Sequence, residues 1–120
     1  MRILPDTSVW IDFIDRGGQP DLKAALAADR VVIHPFVVGE LALGTIRDRS
    51  VLDRMEQMHN VDVASPAEVR YAIERHALAG TGLGYVDAHI LVSTLFTPDC
   101  ALLTTDRRLK RTAQRLGIAA

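Results

Sequence analysis

Short β-branched apolar runs alternate along this chain with longer stretches patterned as helices. That alternation constrains the fold more than any other feature, because strands separated by helices make βαβ units, a parallel sheet and right-handed crossovers. The run Arg2–Leu4 (RIL) is short and apolar, and Ser8–Asp15 reads as a helix with Val9, Ile11, Phe13 and Ile14 apolar. Gly17-Gly18 breaks it. Pro20 opens a helix running to about Ala28, at a position that tolerates proline. Arg30–His34 (RVVIH) is β-branched and predicts a strand, and Pro35 starts a helix that Gly44 ends. Asp48 is expected to cap a helix to about His59, and Val61–Ala64 (VDVA) to form a short strand. Ser65-Pro66-Ala67-Glu68 is a capping box with proline at the first helical position, opening a helix to about Ala79. After the loop Gly80–Gly84 come a helix over Tyr85–Phe96 and a buried strand over Cys100–Thr104. Thr105 is read as the cap of a last helix ending near Gly117, with Ile118–Ala120 as an added edge strand.

A chain of 120 residues is the size of one domain, so residues 1–120 are expected to form a single α/β unit. Its parallel sheet should hold four to five strands, flanked by helices on both faces. The 48% apolar content excludes a disordered chain. The lone Cys100 cannot make an internal disulfide, fits a reducing compartment and is read as core. No apolar run reaches the about 18 residues of a membrane helix, and MRILPDTS lacks the marks of a signal peptide. A soluble cytoplasmic protein is expected.

The net charge of −1 does not by itself announce nucleic acid. Its distribution is more informative, since Arg107, Arg108, Lys110, Arg111 and Arg115 follow one another with no acid among them. Such a stripe can neutralise phosphates, or it can be a solvated helix face.

Open α/β sheets place their sites beyond the carboxyl ends of the strands. Asp6 follows the first strand and Asp106 the fourth, while Glu40 (PFVVGELAL) and Asp87 (GYVDAHILV) sit on helices with little other charge. Each also has a purely structural explanation. Asp6 and Asp106 can serve helix starts, Asp87 can answer a helix dipole, and Glu40 can pair with Arg47. Four carboxylates at one end of a sheet repel one another, and a hard divalent cation is the simplest compensation, hence Mg²⁺ or Mn²⁺.

The histidines His34, His59, His76 and His89 show no metal-ligand spacing, and Trp10 is read as packing. GTGLG is no nucleotide fingerprint, because no strand precedes it; its glycines are expected to permit a tight turn into the Asp87 helix.

The segments LPDTSVWIDFI, VVGELALG, GLGYVDAHIL and LLTTDRRL resemble, in order, the four acidic motifs of PIN domains. They are most similar to those of the VapC toxins of bacterial VapBC toxin–antitoxin pairs. The resemblance spans nearly the whole chain. It implies that Asp6, Glu40, Asp87 and Asp106 form a catalytic metal site, with Asp6 and Asp87 the foremost direct ligands and Glu40 and Asp106 acting directly or through water. It further implies support from Ser8 and Thr104, an RNA substrate such as a tRNA or rRNA loop, a homodimer, and a VapB-like antitoxin that blocks the site. Arg107, Arg108 and Arg111 are the candidate RNA contacts. Pro5 departs from the pattern, since an aliphatic residue is usual there; a proline gives up a ladder hydrogen bond, so the first strand is expected to end by Pro5.

The expected activity is hydrolysis of an RNA phosphodiester by metal-activated water. Competing readings are a housekeeping RNA-processing nuclease without antitoxin, and a non-catalytic RNA-binding module on the same fold. A haloacid-dehalogenase-type phosphatase would need an Asp where Ser8 stands, and a receiver domain would need a lysine after CALLT, where Asp106 occurs instead.

Overall fold

The computed structural model describes all of residues 1–120. Its elements run β1 (Arg2–Pro5), α1 (Thr7–Arg16), α2 (Pro20–Ala27), α3 (Pro35–Leu43), α4 (Ser50–Glu56), α5 (Pro66–Arg75), α6 (Tyr85–Phe96), β2 (Cys100–Leu103) and α7 (Arg107–Arg115). The two strands pair in parallel, Arg2 opposite Cys100 through Pro5 opposite Leu103. Leu4 and Leu102 are fully buried at this pairing, within one core that also takes Val9, Ile33, Val37, Ile90, Leu91 and Leu109. The first strand packs against α1 and α2, the second against α6 and α7.

Three expected strands shrink to single parallel bridges: Ile3 with Val31, Ile33 with Asn60, and Leu102 with Ala119. They extend the parallel pairing on either side of β1–β2, so two strands stand where four to five were expected. Pro5 gives one physical reason. The Arg2 and Asp6 amides donate to Asp99 and Leu103 on the β2 side, whereas the Ile3 amide donates to Arg30 at 2.8 Å. Pro5 shares the parity of Ile3, so its missing N–H falls on the Arg30–His34 side, where it stops the ladder after one bridge. On the β2 side nothing is lost, and Asp6 stays in register with a 2.9 Å bond from its amide to Leu103.

Helix boundaries follow the local chemistry. The Ser65–Glu68 capping box forms, and α6 covers the residues its pattern predicts. The helix after it is not capped by Thr105: Asp106 is the cap, accepting from the Arg108 and Leu109 amides at 2.8 and 3.2 Å, and Thr105 turns toward Ser8 instead. A carboxylate meets the positive helix end better than a hydroxyl does. Asp48, two residues before the helix, accepts the Ser50 amide but Arg49 holds the cap position, and α4 and α5 stop at Glu56 and Arg75, short of the expected His59 and Ala79. No helix is long and apolar enough to cross a membrane.

Candidate functional site

Asp6 is buried where β1 turns into α1, and both its oxygens are held. Oδ1 accepts from the Val9 amide at 3.1 Å and the Ser8 hydroxyl at 2.6 Å, and Oδ2 accepts from the Thr104 hydroxyl. Thr104 also accepts the Asp106 amide at 3.0 Å, and Thr105 donates to Ser8 Oγ at 2.8 Å. The ends of the two paired strands are thereby laced together through hydroxyls, because the parallel register puts residues 6 and 104 at the same edge.

Glu40 lies on α3, accepts at Oε1 from the Thr7 hydroxyl at 2.6 Å, and is not paired with Arg47. Asp87 is half-buried in the first turn of α6 and accepts the Gly84 amide at 3.4 Å through Oδ2. Burial is the largest influence on its carboxyl and raises its pKa; the Gly84 bond opposes this, and the charges of Asp106, Asp6 and Glu40 raise it further. Asp87 is thus the point where the other three acids are felt together.

No basic side chain compensates this charge, since the chain's ion pairs involve Asp99, Asp12, Asp48 and Glu74 and none of the four site acids. One oxygen each of Glu40, Asp87 and Asp106 has no hydrogen-bond donor within the protein. Each of the other three acids acts on the charge of Asp87, but no three of the chain's acidic, histidine or cysteine side chains are grouped closely enough to hold a metal ion as they stand. A set of carboxylate oxygens, mutually repelling and partly free, fits a hard divalent cation such as Mg²⁺ or Mn²⁺ rather than a soft one.

On the helix that Asp106 caps, three arginines gather. Arg108, Arg111 and Arg115 line a pocket of about 600 Å³ with the loop Gly80–Gly82, whereas Arg107 lies outside it. Two histidines are buried on the helices that carry Glu40 and Asp87. His34 caps α3 by accepting the Phe36 amide at 2.9 Å, and both ring nitrogens of His89 lack partners. Phe36 lies between the two rings, its centroid 5.0 Å from that of His34 and 4.9 Å from that of His89. Burial, followed by the nearby His89, lowers the His34 pKa to about 4, so both rings are packing groups at neutral pH.

Reading of the sequence gave Thr7 no role and gave the others different ones: Thr105 a helix cap, Arg115 a place in the cationic stripe without a named RNA contact, and the Gly80–Gly82 loop a turn ahead of the Asp87 helix. Thr7 and Thr105 flank site residues in the motifs DTS and TTD, and Arg115 follows Arg108 at helical spacing, so each left a trace. Which acceptor a hydroxyl finds is a tertiary matter, and no trace supplied it.

Comparison with known proteins gives the family. Residues 3–115 match the PIN domain family. Ribonuclease VapC32 of Mycobacterium tuberculosis strain H37Rv is 40% identical over 118 residues, which cover 98% of this chain and 94% of that protein. The Ribonuclease VapC32 of strain CDC 1551 / Oshkosh matches to the same extent. With a family match over residues 3–115 and relatives matched over nearly its whole length, the chain belongs to the PIN-domain family, among proteins of the VapC type.

Proposed function

We propose that this protein is a Mg²⁺- or Mn²⁺-dependent endoribonuclease acting as the toxin of a toxin–antitoxin pair, with Asp6, Glu40, Asp87 and Asp106 as its catalytic carboxylates. The observation that carries the reading is the strand edge where Thr104 joins Asp6 to the Asp106 backbone and Thr7, beside Asp6, holds Glu40, with none of the four acids in an ion pair. Relatives named as ribonucleases support RNA as the substrate.

When bound, the divalent ion would supply an activated water near neutral pH and offset charge on the scissile phosphate. The residues hold the means to place it. Asp6, fixed by Ser8, Val9 and Thr104, offers a preset carboxylate, and the free oxygens of Asp87, Glu40 and Asp106 would complete an all-oxygen donor set around the ion. Asp6 and Asp87 are the direct ligands in this reading. Thr7 orients Glu40, and Thr104 ties Asp6 to the backbone of Asp106. No side-chain nucleophile is required: Cys100 is buried and its thiol pKa is pushed up to about 11, chiefly by burial.

The same reading includes a VapB-like antitoxin, a homodimer, a tRNA or rRNA loop as substrate, and a cytoplasmic site of action. Light scattering tests the dimer, and growth arrest relieved by a neighbouring antitoxin gene tests the toxin. The decisive experiment is cleavage of a structured RNA with Mg²⁺ or Mn²⁺, with chelator, and after metal is restored. Metal-dependent cleavage leaving 5′-phosphate ends is expected. Cleavage in excess chelator, or 2′,3′-cyclic phosphate ends, would replace metal-assisted hydrolysis with attack by the RNA's own 2′-hydroxyl.

A further inference from the structure

The pocket between α7 and the loop ahead of α6 is lined by no carboxylate and no apolar side chain. Arg108, Arg111 and Arg115 enter it from one helix face, spaced three and four residues apart. Like charges at those spacings repel, and the first and last are separated by about 10 Å of helix rise. Arg108 and Arg111 have no carboxylate within ion-pair distance and no side-chain hydrogen bond within the protein, while Arg115 donates to the His76 carbonyl at 3.0 Å.

The opposite wall is a backbone surface. Gly80 and Gly82 have φ of +76° and +82°, a conformation that L side chains rarely adopt. A Cβ at Gly82 would meet the Arg108 guanidinium at 3.0 Å, so glycine there lets that side chain lie against the loop. The amides of Gly80 and Gly82 donate to no backbone or side-chain acceptor of the chain. Free amides, unpaired guanidinium groups and the absence of acid describe a place for a multiply charged oxyanion.

The place adjoins Asp87 in sequence and Asp106 in structure. The loop leads directly into the helix of Asp87, and the Arg108 amide is one of the two that Asp106 caps. None of the four acids lines the pocket, so it does not duplicate the site described above.

We propose that this pocket binds a backbone phosphate of the RNA strand next to the scissile one, holding the strand in register across the carboxylates. The inference rests on the ribonuclease reading for the identity of the polyanion, although phosphate binding itself does not depend on it. The recognition is of phosphate and not of base, because guanidinium and amide donors along a backbone carry no sequence information.

Binding is measured in an Asp87→Asn background, where cleavage does not interfere, by anisotropy of a labelled single-stranded RNA over a range of salt. Arg111→Gln should weaken binding about tenfold at low salt, alike for different sequences, and flatten the log–log salt slope by about 0.7 per lost phosphate contact. Arg111→Lys should keep most of the slope. Both substitutions fall on an exposed side chain, and circular dichroism checks that the fold persists. The Gly80 and Gly82 amide resonances should shift on titration with inorganic phosphate and with the RNA.

Unchanged affinity and slope in Arg111→Gln and in Arg108→Gln/Arg111→Gln would overturn the proposal. So would an acidic peptide that moves those resonances at matched ionic strength when phosphate and RNA do not, since the pocket would then serve a protein partner. A parent protein that cleaves no RNA would overturn the ribonuclease reading alone, because the binding measurements are made without cleavage.

Discussion

The Thr104 hydroxyl donates to Asp6 across a separation of 98 residues in sequence. The same oxygen receives the Asp106 amide at 3.0 Å, so one small side chain sets the positions of two site acids. Thr104→Val keeps the shape and removes both bonds. It should lower activity and Mn²⁺ affinity by about 10–100-fold, the range for residues that orient ligands. Leaving buried polar groups without partners should also cost about 1–3 kcal/mol of stability. Thr104→Ser should restore both. A loss of stability with Mn²⁺ affinity unmoved, read by calorimetry, would assign Thr104 to the fold alone.

Asp87→Asn should reduce cleavage by more than the about 10–100-fold that supporting residues cost. It should also raise the melting temperature of the metal-free protein at neutral pH. The sign follows from the raised folded-state pKa: the folded protein holds this proton more tightly than the unfolded chain, so stability falls as pH rises from the ordinary value of 3.8 through the raised one. The gain from Asn is therefore full above that window and absent below about pH 3.8. A metal-free variant less stable than its parent at pH 7 would indicate that Asp87 serves the helix start more than it suffers from its neighbours.

His34 gives the opposite dependence. Its folded pKa lies at about 4, against an ordinary 6.5, so the unfolded chain takes up the proton first and stability is lost as pH falls from 6.5 toward 4. Between pH 7 and pH 5 this residue should cost about 2 kcal/mol, with His89 adding in the same direction. His34→Asn can still accept the Phe36 amide at the helix start. It should lose packing at every pH yet show a flatter profile in urea denaturation. An unchanged acid profile would remove His34 as its source.

The free oxygens of Glu40, Asp87 and Asp106 also define what blocks the site. A guanidinium presents a planar fork that two carboxylates can grip, in the space that metal or RNA would otherwise take. The antitoxin is expected to insert an arginine there. Changing that arginine to alanine should leave binding measurable and inhibition weak. Full inhibition by the altered antitoxin would exclude this mode.

The four acids were legible in the sequence because an ionised side chain in an apolar segment stands out wherever the fold places it. Asp6 after RIL and Asp87 in GYVDAHILV could be singled out before their surroundings were known. The helix starts at Ser65 and Pro35 were equally legible, since capping and proline placement act over three or four residues. What depended on partners distant in sequence was not. The Ser8–Thr105 bond exists only because β2 lies beside β1, and Arg115 meets the Gly80–Gly82 loop only because α7 packs against α6. Pro5 shows the division within one residue. The sequence by itself determined that a ladder bond would be missing, because proline has no amide hydrogen. Only the tertiary structure decided which neighbour lost it, and by the pleat's alternation it was the Arg30–His34 segment, which left Asp6 in place on the β2 side.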